Sequence, residues 1–330
     1  MEQQKKFDLR LNGSLTTVTP FNVSIFQLDG LPTLGGRLYI PGSSIRGSLR
    51  RSARDVMQRE MGIKSFQLDD FYFLTLGGLK GSEKGVDPDA LEKVSSMRIK
   101  NPLVSLFGAM SPKTIAGRLM VSHAIENEGL RRDVVSGVRS DDLVRNPDLV
   151  GDVLAEGSIQ EYRRLKGESS DRSSVKAKIK ELNSSLRKAE GEQRAAIKEE
   201  IKSLETDLES HKSVEVSLPN LQYQAIPQGT KLDSSFILRG VSRNEVALFL
   251  KALNEFSRTP VLGGKKNHGC GQLSGEWAAS IRIVGEDFKP VGTLKTNQDW
   301  GPLDVTGAIA NWFEFESDPS DFNLSVAIVA

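Results

Sequence analysis

The chain has 330 residues, long enough for one large or two modest domains with a sizeable core, and its 38% hydrophobic content fits a globular protein. The formal net charge is +1, from 44 basic and 43 acidic residues, which excludes a global basic field and leaves nucleic-acid binding to local patches. Cys270 is the single cysteine, so an intrachain disulfide and a cysteine-based zinc cluster are excluded, and His123, His211 and His268 match no metal-ligand spacing. No metal or cofactor is expected. The start, Met1 to Lys6, lacks the apolar core of a signal peptide, and no run approaches the ~20 apolar residues that span a bilayer. The expectation is a cytoplasmic protein with no membrane partner.

Phe7, Leu9 and Leu11 alternate with Asp8, Arg10 and Asn12, which predicts a half-buried strand. Pro20 to Gly36 holds turn residues and little periodicity, and is expected to be a loop. It leads into Tyr39-Ile40-Pro41-Gly42-Ser43-Ser44-Ile45-Arg46-Gly47-Ser48-Leu49-Arg50-Arg51, which reads as a strand end, a Pro-Gly turn and a helix start. Ser43 or Ser44 is expected to cap this helix, which runs to about Gly62. Ile45, Leu49, Ala53, Val56 and Met57 share one face, and Arg46, Arg50 and Arg54 form a cationic row beside it. No acid occurs between Asp29 and Asp55, so this helix start suits a phosphate; the plain alternative is a surface helix with solvated arginines.

From Asp69 to Pro88 the chain reads as a loop, with Gly77, Gly78, Gly81 and Gly85. Asn101 to Gly108 is a short apolar segment, and Gly117 to Ala124 suggests a strand with His123, read as a structural histidine, at its end. Over 171–212 the spacing of Val175, Ile179, Leu182 and Leu186 repeats in Ile197, Ile201, Leu204 and Leu208, an amphipathic seam of coiled-coil type. One continuous helix of about 60 Å is possible at ~1.5 Å per residue. A hairpin turning at Gly191 is favoured, because a single helix places Glu190 and Gln193 on the seam. Ser217 to Leu238 alternates like a strand or hairpin pair, and Ser242-Arg243-Asn244-Glu245 is a capping box for a helix through Val246, Phe249, Leu250, Leu253 and Phe256.

Leu262 to Gly275 is a glycine-rich loop with a cationic centre at Lys265, Lys266, Asn267 and His268, and no acid lies between Glu255 and Glu276. It lacks the Gly-Lys-Ser/Thr ending of a P-loop, which argues against nucleotide hydrolysis. A strand through Leu273 and Trp277 follows. The order of elements is compatible with an α+β fold of ferredoxin-like type.

Three segments in this order, Ile40 to Arg50, Leu106-Phe107-Gly108 and Gly263 to Gly275, resemble signatures of the repeat-associated mysterious protein (RAMP) superfamily, whose members build RNA-guided CRISPR interference complexes. The resemblance spans roughly residues 5–285. It implies a ferredoxin-like, RNA-recognition-motif-like core, the palm, over 1–130 and 213–290, with a fingers insertion at about 63–115. It also implies a thumb-like region over 131–212 with a helical insertion at about 171–212, and residues 291–330 remain as a C-terminal extension.

By its length and helical insertion the chain looks like a type IV backbone subunit, of the superfamily's seventh family, with type III as the alternative. Such a subunit binds guide (CRISPR) RNA, polymerises with copies of itself head-to-tail, joins other CRISPR complex subunits and presents the guide to target DNA or RNA. The implied RNA contacts are Ser43, Ser44, Arg46, Gly47, Arg50, Arg51 and Arg54 in the first motif, and Arg131, Arg132 and Arg139 at the start of the thumb. Lys265, Lys266, Asn267 and His268 complete the set. Asp29 is the one acid in the loop where type III relatives carry a catalytic aspartate, so it is the candidate if the chain cuts RNA. An autonomous endoribonuclease working through His268 is the enzymatic alternative. The expectation is a non-enzymatic subunit.

Overall fold

The computed structural model describes residues 5–23, 31–78, 97–110, 114–127, 129, 132–137, 155, 157–186, 191–210, 221–297 and 299–325. The chain divides into two units, one made of Met1–Val134 with Tyr223–Ala330 and the other of Val135–Gln222.

In the first unit the elements run β1 (Phe7–Thr17), β2 (Thr33–Leu34), β3 (Arg37–Ile40), α1 (Gly42–Glu60), α2 (Leu68–Leu76), α3 (Pro102–Phe107), β4 (Leu119–Val121) and β5 (Ala124–Glu126). Asp133–Gly137 (β6) leads out of it. In the second unit come α4 (Ser158–Leu186) and α5 (Gly191–Ser210). The return is made by β7 (Leu221–Ala225), then β8 (Lys231–Val241), α6 (Arg243–Arg258), β9 (Leu273–Ile283), β10 (Lys289–Lys295) and β11 (Asp304–Thr306).

The main sheet has the order β11-β10-β9-β1-β8-β5-β3-β2, with β4 also on β8, and its pairs are antiparallel. The alternation read at the N-terminus holds from Leu9 onward, with Leu9, Leu11 and Leu15 buried and Arg10 and Asn12 exposed, but fails at Asp8, which is buried and paired with Arg282 at 2.8 Å. The buried strand face meets α1 and α6, which pack against each other, in a single core. Phe236 on β8 sits 5.6 Å from Phe249 on α6 and 5.4 Å from Trp277 on β9, ring centroid to ring centroid. All five predicted apolar residues of α1 are in this core.

The capping box at the start of α6 forms as predicted: Ser242 Oγ accepts from the Glu245 N–H, and Glu245 Oε2 accepts from the Ser242 N–H. Glu245 is almost fully buried, and Arg118 Nη1 at 3.0 Å supplies the charge partner that burial demands.

Several expectations are corrected. Leu68–Leu76 is a helix, not part of a loop: Asp69 and Asp70 occupy its first turn, and Gly77 ends it at φ 94 by donating to the carbonyls of Phe73 and Tyr72. Gly77 marks a helix stop, and the rest of the expected loop, 79–88, lies outside the described residues. The segment from Pro20 to Gly36 contains the short strand β2. β7 and β8 are both strands but are not partners, since β7 pairs with β6 in a separate two-stranded sheet and β8 pairs with β1. The C-terminal extension adds β11 to the sheet edge beyond β10 and places Ile309, Phe322 and Leu324 in the core.

In the second unit the expected seam forms between two arms rather than along one helix. Lys178 Nζ pairs with Glu200 Oε1 at 3.0 Å across the arms. The eight seam residues are buried or half-buried, and the other described side chains of 171–210 are exposed. The first arm begins at Ser158, earlier than the periodicity suggested.

Candidate nucleic-acid interface

The first motif starts α1 in an unexpected way. Neither Ser43 nor Ser44 caps it; the N-cap position is Pro41, with no side-chain cap. Gly42 is the first helical residue, and a Cβ there lies 2.6 Å from the Val121 carbonyl oxygen and 2.7 Å from that of Ser122. Only glycine lets the helix start this close to the end of β4. The Gly42 N–H donates to Nδ1 of His123 at 3.1 Å, and the His123 ring stands edge-on to Tyr39 at 4.9 Å. His123 is therefore structural, as read from sequence. The Ser44 N–H folds back to the Pro41 carbonyl, so among the described residues the Ser43 amide alone of the first turn lacks a protein acceptor.

The arginine row is redirected inward. Arg50 is 6% exposed and donates to the carbonyls of Leu74, of Phe73 at 2.7 Å, of Phe107 at 3.1 Å and of Gly108 at 2.9 Å. Arg46 Nη2 donates to the same Phe107 carbonyl at 2.6 Å. These oxygens lie at the C-terminal ends of α2 and α3, where helical carbonyls run short of backbone donors; of the four, Phe73 also accepts from the Gly77 N–H. Arg50 thus caps two helices at once and joins the first motif to the Leu106-Phe107-Gly108 segment. Burial, with a smaller contribution from Arg46, lowers its pKa to about 10, which keeps it charged at neutral pH. Arg54 grips Asp55 through Nε at 2.9 Å and Nη2 at 2.6 Å, reaches Thr75 Oγ1 at 2.9 Å, and lies over the Phe71 ring. The row expected to meet phosphate is thereby corrected: Arg50 is inside the fold, and Arg46 and Arg54 are engaged with it.

The outward face of α1 carries Ser43, Gly47 and Arg51, spaced four residues apart, and Arg51 is exposed. Opposite it stands the glycine loop. Gly263 has φ 81, and a Cβ there lies 2.4 Å from the Asn22 carbonyl oxygen, which accepts the Gly264 N–H at 2.9 Å. Gly271 has φ 96, and a Cβ there lies 2.0 Å from the Leu262 carbonyl oxygen. Between these two pinned glycines Lys265 takes the left-handed conformation, φ 55, and Lys266–His268 forms one 3-10 turn. Lys266, Asn267 and His268 are exposed.

Lys266 is close enough to Arg51 for the two charges to repel: its pKa falls below the ordinary lysine value, through desolvation first and Arg51 second. Among the described residues no carboxylate pairs with Arg51, Lys265 or Lys266. Lys265 Nζ lies 5.7 Å over the ring of Tyr223 on β7, and the Tyr223 hydroxyl bonds to Cys270 Sγ at 3.2 Å. That bond, ahead of desolvation, pushes the phenol up to about 12, so it stays neutral. Asn22 Nδ2 donates to the Gln224 carbonyl at 2.8 Å, and Arg132 Nη1 is 3.4 Å from Gln224 Oε1. The fold therefore gathers the outer face of α1, the glycine loop, β7 and Arg132. Arg131, Arg139 and Asp29 lie outside the described residues. Sequence reasoning missed Tyr223, whose only signal was an aromatic in an alternating run.

Among the described residues, no group of three or more His, Cys, Asp and Glu side chains could hold a metal ion, and no helix is long and apolar enough to cross a membrane.

Residues 15–274 match the RAMP superfamily. The chain belongs to the RAMP superfamily. The match runs from within β1 to the start of β9, so it includes both α1 and the glycine loop. No curated protein matches this sequence. Among solved structures, a chain from a "Type IV-B CRISPR Complex" is similar at 15% identity with a TM-score of 0.40, covering 86% of this chain and 92% of that one. As a RAMP protein, the chain presents the cations of its glycine loop beside the outer face of the helix that follows the Pro41-Gly42 turn.

Proposed function

We propose that the protein is a backbone subunit of a type IV-like CRISPR RNA-guided interference complex, polymerising head-to-tail along guide RNA and holding its phosphates. The observation that carries this reading is the exposed Arg51 on α1 and the left-handed Lys265 and exposed Lys266 in the glycine loop, none of which is paired with a carboxylate among the described residues. Burial first and Arg51 second disfavour the charge on Lys266, and a bound phosphate would relieve both. The left-handed Lys265 and the glycines beside it bring backbone and ammonium close to a strand. Membership of the RAMP superfamily supports the assignment, and the resemblance of the three motifs supports the backbone role. The palm is ferredoxin-like in this reading: β1, α1, β4, β8, α6 and β9 follow the β-α-β-β-α-β order, and the strands lie in the sheet as β9-β1-β8-β4.

Affinity for single-stranded RNA is dominated by phosphate and falls steeply with salt. Substituting Arg51, Lys265 and Lys266 together by Ala lowers the slope of log affinity against log salt by about 2, at ~0.7 per phosphate contact. Salt titrations of binding check this. An unchanged slope in a folded triple variant would remove these residues from the interface.

Assembly supplies the second test. A head-to-tail contact that does not close makes a filament whose length the RNA sets. Sedimentation with guides of two lengths gives two multimer sizes, and one fixed oligomer contradicts the backbone role. The same assemblies, incubated with labelled complementary RNA and Mg²⁺, leave that RNA intact. Regularly spaced products that vanish in Asp29→Ala would reassign the chain to the type III group.

A further inference from the structure

We infer that Tyr223 is a nucleobase platform, a stacking subsite beside the phosphate contacts that receives one base of the bound single strand. The inference rests on the RNA-binding reading and adds to it a part of the RNA that the cations do not touch.

Four observations carry it. The ring is half-buried, not sealed in the core, although β7 belongs to an alternating apolar run. Its hydroxyl is anchored to Cys270, which is itself 4% exposed, so the inner end of the side chain is fixed and the ring is held in one place. A ring that is already ordered loses little entropy when a base stacks on it. Lys265 Nζ stands 5.7 Å over the ring, which places a cation and a π-face in one small site. Lys265 also holds a left-handed backbone conformation without being glycine, a state that persists only where the surrounding fold imposes it.

A base and its own phosphate are covalently adjacent, so a strand that meets Lys265 and Lys266 brings a base to within reach of this ring. Stacking is tolerant of base identity because every base has a π-face. The subsite therefore selects for single-stranded, base-bearing polymer without reading sequence. It also distinguishes this polymer from other polyanions, which the cations alone cannot do.

The test compares an oligouridine with an abasic sugar-phosphate oligomer of equal length, each binding to the full chain at one salt concentration. Wild type is expected to bind the base-bearing strand about tenfold more tightly than the abasic one. Tyr223→Ala loses about tenfold on oligouridine and leaves abasic affinity unchanged, while Tyr223→Phe, which keeps the ring but loses the anchor to Cys270, falls between the two and still prefers the base-bearing strand. Equal losses on both strands in Tyr223→Ala would assign the residue to loop positioning and overturn the inference. Unchanged binding of both strands by Tyr223→Ala, or equal affinity of wild type for the two, overturns it as well. A wild type that binds neither oligomer defeats the RNA-binding reading itself, and the subsite with it.

Discussion

Arg50→Met is expected to lower the stability of the fold by roughly 3–5 kcal/mol, a loss on the scale of breaking a buried charge network. The side chain meets four carbonyls at the ends of α2 and α3. Methionine fills much of the volume and donates nothing, so the Leu74 and Gly108 oxygens lose their Arg50 donor at ~1–3 kcal/mol for each one that water does not reach, while Phe73 keeps the Gly77 N–H and Phe107 keeps Arg46. Arg50→Lys recovers only part of this, because an ammonium is a point donor and the oxygens are spread over two helix ends. Arg51→Met, one residue along on the exposed side, changes stability by no more than about 0.5 kcal/mol. Urea unfolding of the three variants measures the contrast. If Arg50→Met shifted stability by less than about 1 kcal/mol, the double-capping role would be wrong. The result also separates two meanings of a cationic motif, since a loss of RNA binding in an Arg50 variant reports unfolding rather than a missing contact.

The second large effect is expected from a substitution that removes no charge. Gly271→Ala places a Cβ 2.0 Å from the Leu262 carbonyl oxygen, at φ 96. Neither the contact nor the dihedral can be kept, so the loop must move and carry Lys265 and Lys266 away from Arg51. RNA affinity should drop towards that of the triple alanine variant, although all three cations are present. Gly269→Ala is the control: its φ is 76, but nothing lies within 4 Å of the added atom. It carries only the left-handed penalty of about 1–2 kcal/mol. Binding by the two variants at equal salt, with circular dichroism to verify folding, makes the comparison. Wild-type affinity in Gly271→Ala would show that the placement of the loop cations is unimportant.

What was legible in the sequence was local. The alternation in β1, the apolar face of α1, the capping box at Ser242 and the cationic glycine loop are each written within a dozen residues, and each formed. What was not legible depends on where distant segments end. Arg50 reads like Arg46 and Arg54 at helical spacing, and only the termination of α2 at Gly77 and of α3 at Gly108 decides that its guanidinium turns inward. The Ser43-Ser44 pair looked like a cap because serine commonly is one, yet His123, from the break between β4 and β5, takes the Gly42 amide instead. α2 itself was misread because Gly77-Gly78 was weighed with the glycines beyond it. At the interface, the cations were found by their freedom from acids, whereas Tyr223 becomes visible only when β7 is seen under Lys265.

The paired arms of the second unit have an evolutionary consequence. Their seam residues are buried or half-buried, with Ile201 at 8% exposure, and the exposed described side chains of 171–210 are polar apart from Ala177 and Ala196. Adding seven residues to each arm lengthens the helix pair by ~10 Å and repeats the same seam. Removing seven from each shortens it as cleanly. The length of this hairpin is therefore free to drift between lineages while the sheet and the glycine loop stay fixed, and homologues should differ there in whole heptads.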